Sequence, residues 1–325
     1  MVNIESVFNI SSEKEFIKTA LKVFRFQFDN NLIYQTFCNY LNKNKENVKE
    51  INQIPFLPIT FFKSHKITST DFNPEAIFTS SGTTSTINSK HFVKDLNIYE
   101  RSFTNAFSQF YGNVQDYCIL ALLPSYLERE GSSLVYMTKC LIEKSNHKNS
   151  GFYLHNLDEL SDILKELDQD GENILLIGVT YALLNLAEKY KLSLKNTIIM
   201  ETGGMKGMRK ELVREELHNI LQKAFGVSHI HSEYGMTELL SQAYSLGEGK
   251  FQCPHWMKIL VRDTEDALQI IPNGKTGGIN VIDLANIYSC SFIATQDLGK
   301  NHDDYFEVLG RFDTADIRGC NLLSL

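Results

Sequence analysis

The sequence predicts an α/β layered fold with a largely parallel sheet, joined to a β-rich C-terminal part. Two observations carry that prediction. Between residues 76 and 225, apolar runs of strand length alternate with amphipathic segments of helical period, the pattern of strand–helix–strand units. After about residue 240, apolar runs follow one another directly. Turn signals such as Pro272-Asn273-Gly274 and Gly277-Gly278 separate them, which reads as antiparallel sheet.

Taken in order, two helical patterns open the chain. Ser12 and Glu15 suggest a capping box ahead of Phe16, Ile17, Ala20, Leu21 and Phe24. Leu32, Ile33, Phe37, Tyr40 and Leu41 repeat the spacing after Asn30. Pro55 and Pro58 hold residues 54–59 extended. Strands are expected at 76–79, 117–123, 151–154, 173–177 and 197–200, and helices at 96–111, 132–145, 157–168, 181–190 and 209–225. Further strands are expected at 241–245, 257–262, 267–271, 278–283, 290–295 and 304–309. No repeat or linker intervenes. The expectation is one core over 1–325, with a helical N-terminal region (1–75), an α/β body (76–240) and a β-rich C-terminal part (241–325).

Composition narrows the function. The 325 residues are 43% hydrophobic and 22% charged, with a net charge of −7 and both signs interspersed. Nucleic acid is therefore not expected as a partner. The start of the chain lacks a basic, apolar leader, and the longest apolar runs fall far short of the roughly 20 residues of a spanning helix. A cytoplasmic protein without a membrane span is expected. Six cysteines (38, 118, 140, 253, 290 and 320) occur without a CxxC pair, neither a disulfide framework nor a zinc site. Five sit among apolar neighbours as packing residues; Cys320 does not.

Five short segments could carry chemistry. Thr79-Ser80-Ser81-Gly82-Thr83-Thr84-Ser85 clusters hydroxyls around one glycine, suited to polyphosphate oxygens, though it does not match the GxxxxGK[ST] loop. Glu201-Thr202-Gly203-Gly204 follows a strand, where adjacent glycines permit close approach by a flat ligand. In Glu233-Tyr234-Gly235-Met236-Thr237-Glu238 a tyrosine can face a base, while a threonine and a carboxylate can address a phosphate and its Mg²⁺. Asp297, in Thr295-Gln296-Asp297, can hold vicinal ribose hydroxyls, and Arg311, in Gly310-Arg311-Phe312-Asp313, can clamp oxygens. Taken singly, each also reads as an ordinary turn.

Their order together resembles the nucleotide-binding core of the AMP-forming acyl-CoA synthetase and adenylation superfamily. Within it the chain is most similar to the acyl-protein synthetase (LuxE) family. Ile54-Pro55-Phe56-Leu57-Pro58-Ile59-Thr60-Phe61-Phe62-Lys63, the segment around Tyr234, and the ending from Gly310 to Cys320 carry the likeness. The resemblance implies ATP and Mg²⁺ as cofactors. It implies that Ser80, Ser81, Gly82, Thr83 and Thr84 bind phosphates and that Gly203 and Gly204 line the adenine and acyl pocket. Tyr234, followed by Gly235, would stack on adenine, Thr237 would meet the α-phosphate, and Glu238 would hold the metal. Asp297 would bind ribose with Arg311 nearby.

Three departures stand out. Ser85 replaces a common glycine with no Pro-Lys after it, leaving Lys90 as a substitute; Gln296 replaces another glycine; and the chain stops at Leu325. The mobile C-terminal domain of the larger ligases, with its lysine, is thus expected to be absent. In the acyl-protein synthetases a cysteine near the C-terminus takes the acyl group instead, and Cys320 in Arg318-Gly319-Cys320 fits by position. The resemblance implies activation of a carboxylic, by family a fatty, acid and transfer to a thiol, with an acyl-CoA reductase or acyltransferase as partner protein. Alternatives are a coenzyme A or carrier-protein ligase resembling phenylacetate–CoA ligases, and a non-catalytic subunit that keeps the fold. Lys63, His91 and Arg129 are read as structural or solvent-facing, His231 as flanking the adenine loop and Trp256 as packing.

Overall fold

The computed structural model describes residues 2–80, 87–123, 131–153, 156–203 and 212–312. Helices α1 (Ile4–Phe8), α2 (Glu13–Asn30) and α3 (Leu32–Tyr40) open the chain, and a short α4 (Phe61–Ser64) follows. Ser12 caps α2 by accepting the Glu15 N–H, but Glu15 reaches back to the Ser11 N–H rather than to Ser12. The predicted box therefore closes one residue early.

The central layer is one sheet of twelve described strands. Its parallel half contains β4 (Cys118–Leu122), β5 (Gly151–Phe152), β6 (Ile174–Gly178), β7 (Thr197–Glu201) and β8 (His231–Tyr234). All residues of β4 and β6 are buried, as a sheet covered on both faces requires. The covering helices are α5 (Leu96–Tyr111), α6 (Ser133–Ser145), α7 (Leu157–Gln169), α8 (Thr180–Lys189) and α9 (Arg214–Phe225). Helix α9 ends at Gly226, whose φ of 72° is the left-handed stop that glycine adopts without strain.

The sheet continues antiparallel through β9 (Ala243–Ser245), β10 (Phe251–Gln252), β11 (Met257–Arg262), β12 (Thr276–Asp283), β13 (Phe292–Asn301) and β14 (Phe306–Arg311). The order β11-β12-β13-β14-β10-β9-β8-β7-β6-β4-β5 joins the two halves edge to edge. Strand β1 (Leu57–Pro58), inside the proline-held segment, pairs parallel with β13.

Three expectations change. Residues 76–79 do form a strand, β2 (Ala76–Thr79), but outside the parallel sheet: it pairs antiparallel with β3 (Lys90–Val93), a strand the sequence did not announce. This hairpin brackets the Ser/Thr-rich loop. Residues 267–271 contribute only an isolated bridge between Arg262 and Ile270. Strand β13 runs on to Asn301 through the polar Thr295-Gln296-Asp297, beyond the apolar run that marked it.

Candidate active site

Strands β13 and β14 place Asp297 directly across from Arg311. The Arg311 Nε donates to Asp297 Oδ1 at 3.1 Å, and the Tyr234 hydroxyl donates to Oδ2 at 2.8 Å. Asp297 has only 7% of its surface exposed, whereas the Arg311 side chain is 59% exposed, so one end of the pair opens outward. The Thr295 hydroxyl accepts the Asp297 N–H, fixing the backbone. The Tyr234 ring lies edge-on to Phe251 and Phe306, and burial beside Asp297 pushes its phenol pKa well up. It stays a neutral donor.

Beneath this pair is a buried cation that sequence reading missed. Arg262 donates to the carbonyls of Ile279 and Thr295 and to Asn280 Oδ1, at 2.6–2.8 Å. Its guanidinium occupies the space a Cβ on Gly278 would need, 2.5 Å away, which explains the glycine. Burial lowers its pKa, while Asp297 and Tyr234 act in the opposite sense.

Glu238 is buried at the end of the next segment. Burial pushes its carboxyl up, and the Ser89 hydroxyl, Arg311 and Lys63 pull it down. Ser89 in turn closes the base of the β2–β3 hairpin: its N–H donates to Ser80 Oγ at 2.9 Å, and Ser80 N–H donates to its carbonyl at 3.1 Å. Ser80 is thus one residue removed from Glu238. Lys63, read from sequence as structural or solvent-facing, stands within electrostatic reach of the same carboxyl.

His91 and Asn286 clamp the loop between Tyr234 and Glu238. His91 Nδ1 lies 2.8 Å from the Thr237 carbonyl and Nε2 lies 3.0 Å from Asn286 Oδ1. Asn286 Nδ2 donates to the carbonyls of Glu238 and Cys290. Burial lowers His91 to about 4 despite these bonds. Sequence reading treated His91 as structural; it is so in the particular sense of tying β3 to Thr237, 146 residues away. Asp283 anchors the exit of the loop by accepting the Leu240 and Ser241 N–H groups and the Ser241 hydroxyl. Trp256 donates to Ser241 and Ser102 from a buried position, a packing role as expected.

At the end of β7, Glu201 Oε2 accepts the Gly203 N–H at 2.8 Å and the Thr180 hydroxyl at 3.2 Å. Gly203 has a φ of 73° there. Burial pushes Glu201 up, but His218, Arg214, Ser232 and the Gly203 N–H more than offset it and hold the carboxyl at about 2. Gly235 has no room for a Cβ, because the Glu233 carboxyl and Gln242 fill that space. Ser81, Gly82, Thr83, Thr84, Ser85, Arg129, Gly204 and Cys320 lie outside the described residues.

Ser80, Tyr234, Glu238, Asp297 and Arg311, drawn from segments far apart along the chain, are therefore linked by hydrogen bonds and by the charge interaction of Glu238 with Arg311, and His91 holds the Thr237 backbone beside them. The fold is that of the adenylate-forming ligases. It matches a 2-hydroxyisobutyryl-CoA ligase, solved with its acyl-adenylate and CoA, with a TM-score of 0.65 at 12% identity over 93% of this chain and 70% of that one. It matches ATP-bound MatB from Rhodopseudomonas palustris with a TM-score of 0.54 at 18% identity, over 75% of this chain and 49% of that one.

The chain belongs to the acyl-protein synthetase (LuxE) family, whose model matches residues 6–324. A long-chain-fatty-acid–luciferin-component ligase from Vibrio harveyi is 23% identical over 97% of this chain and 88% of that protein. No helix among the described residues is long and apolar enough to cross a membrane.

Proposed function

We propose that the chain uses ATP to convert a carboxylic acid into an acyl-adenylate and then passes the acyl group to a thiol. The observation that carries this reading is the convergence of Tyr234, Glu238, Asp297 and Arg311 on one polar site beside the base of the Ser/Thr-rich loop.

Each group has a task there. Asp297, held by Tyr234 and Arg311, offers carboxylate oxygens to the vicinal hydroxyls of ribose. The tyrosine ring and Gly203 border the base, and Thr237 addresses the α-phosphate. The hydroxyls and backbone N–H groups of residues 80–84 receive the other phosphates. A carboxylate oxygen of the acid attacks the α-phosphorus, the bond from that phosphorus to the β-phosphate oxygen breaks, and pyrophosphate leaves. A thiolate then attacks the acyl carbon and AMP departs.

Glu238 fits Mg²⁺, because that ion takes one or two carboxylates together with substrate phosphates, and a buried carboxyl that accepts only from the Ser89 hydroxyl and its own backbone N–H leaves lone pairs free. When bound, the ion would offset phosphate charge. His91 and Asn286 keep Thr237 and Glu238 in register for this work. Family membership and the Vibrio harveyi relative support a fatty acid and a protein thiol, for which Cys320 is the candidate.

The test is acid-dependent exchange of labelled pyrophosphate into ATP, followed by a hydroxylamine-labile acyl adduct that Cys320→Ala removes. Nucleotide binding without exchange across a broad panel of acids would contradict the reading.

A further inference from the structure

Strand β14 meets β13 through a bulge. Phe306, Glu307 and Val308 lie across from Asn301, Lys300 and Gly299, whereas Gly310 and Arg311 lie across from Leu298 and Asp297. Leu309 is the extra residue. Carried on without it, the register would set Gly310 against Asp297 and turn Arg311 to the other face of the sheet. The bulge is therefore what delivers the Arg311 Nε to Asp297.

Among the described residues β14 has little beside it to hold that bulge, since β10 pairs with it only at Phe251–Phe306. Two residues on, Arg214 supplies the hold. Its Nη1 donates to the Val308 carbonyl at 2.9 Å, on the residue just before the extra one. Arg214 is the first residue of α9, 94 positions away in the chain.

The same guanidinium touches two further walls. Its Cζ lies 5.0 Å from the centroid of Phe251, which stacks on Phe306 and stands edge-on to Tyr234. Its Nε lies 3.9 Å from Glu201 Oε1, while Glu201 Oε2 accepts the Gly203 N–H. The Thr180 N–H donates to the Gly203 carbonyl at 2.8 Å, so that glycine is pinned on both sides. Gly249, at a φ of 67°, leaves Arg214 its room: a Cβ there would stand 3.0 Å from Arg214 Cδ. A planar guanidinium can stack on a ring and donate from its edge at once, which the point charge of a lysine cannot.

We propose that Arg214 is a positioning residue for the nucleotide, an inference that rests on the acyl-adenylate reading above. It acts through its neighbours. By holding the β14 bulge, the ring behind Tyr234 and the carboxylate on Gly203 at one point, it fixes the spacing of Arg311, Tyr234 and Gly203 before ATP arrives. A site whose groups are already in place does not lose binding energy to ordering them.

The experiment is calorimetric titration with MgATP of the full chain and of Arg214→Met, Arg214→Lys, Arg311→Ala and the Arg214→Met/Arg311→Ala double variant. The Arg214 side chain is 31% exposed, and Glu201 keeps the Gly203 N–H and the Thr180 hydroxyl without it, so these chains are expected to fold. Arg214→Met is expected to raise Kd roughly tenfold at unchanged stoichiometry, through lost preorganisation. Arg214→Lys should stay roughly threefold or more above the full chain, because it restores charge beside Glu201 but not the planar group on Phe251. Arg311→Ala should cost roughly threefold less, or smaller still, in the Arg214→Met background than in the full chain, since the two act on one strand. A purely structural role predicts the opposite pattern: fewer binding-competent molecules, the same Kd, and additive effects.

An unchanged Kd in Arg214→Met, full recovery by Lys, or additivity with Arg311→Ala overturns the proposal and leaves the acyl-adenylate reading standing. Absence of MgATP binding by the full chain overturns both. If Arg214→Met does not fold, the same cycle run with Arg214→Lys decides.

Discussion

Strands β4 and β6 bury every residue and carry no charge, whereas β11, β12 and β13 bury Arg262, Asp283 and Asp297 among their apolar side chains. The parallel half gains stability from apolar burial, which is non-directional and tolerant of detail. The antiparallel half holds charges that are tolerable only because each has named partners: three oxygens for Arg262, and three N–H groups and a hydroxyl for Asp283. One half is a scaffold. The other fixes where charge sits, and the candidate site reaches from their seam, at β8 and the loop that follows it, to Asp297 on β13 and Arg311 on β14.

Substitutions can break that contrast. Asp283→Ala leaves three buried N–H groups and the Ser241 hydroxyl without their acceptor. It is expected to cost about 3 kcal/mol or more in urea denaturation and to depress exchange activity in the molecules that remain folded. Leu176→Ala, in the middle of β6, is expected to cost about 3 kcal/mol as well, but to leave activity per folded molecule unchanged. If both variants lose activity alike, the division between scaffold and site fails. Asp297→Ala should combine the two effects: about 2 kcal/mol lost, because the buried Tyr234 hydroxyl is left without its acceptor, and kcat/KM for ATP reduced roughly a hundredfold in the molecules that remain folded, as for a charged hydrogen-bond partner of the ligand.

The pH dependence sharpens the contrast at the seam. His91 and His231 are both held neutral by burial, at about 4 against an ordinary 6.5. Their contribution is complete above 6.5 and is lost as pH falls towards 4, because the unfolded chain binds those protons first. Each is expected to cost on the order of 2 kcal/mol by pH 5, and His91→Asn should flatten about half of the slope between pH 7 and 5. A slope unchanged in that variant would show His91 to be charged in the folded protein. The smallest effect lies far from the site: Ser12→Ala, which removes the cap of α2, should lower stability by about 1 kcal/mol with no change in exchange.

Much of this was legible in the sequence where a signal is local. Alternating apolar runs marked β4, β6 and β7, a serine and a glutamate marked the start of α2, and short motifs named Tyr234, Glu238 and Asp297. What stayed hidden depends on partners distant in the chain. His91 acquires meaning only from Thr237 and from Asn286, 195 residues away. Arg262 looks like one charged residue ending an apolar strand until β12 and β13 supply its acceptors. The pairing of β2 with β3 was missed because 90–93 opens with Lys90 and His91, which do not read as strand. Strand β13 was cut short in the reading because Thr295-Gln296-Asp297 lacks apolar character, and it lacks that character because the candidate site is there.

Hydrogen exchange with and without MgATP tests the central claim most directly. The account expects slowed exchange at one common nucleotide concentration in four separated stretches: the Ser80–Ser89 hairpin base, the loop after Tyr234, the strand carrying Asp297 and the strand carrying Arg311. Protection confined to one stretch, or setting in at different concentrations, would mean that these residues do not share a nucleotide and would contradict it.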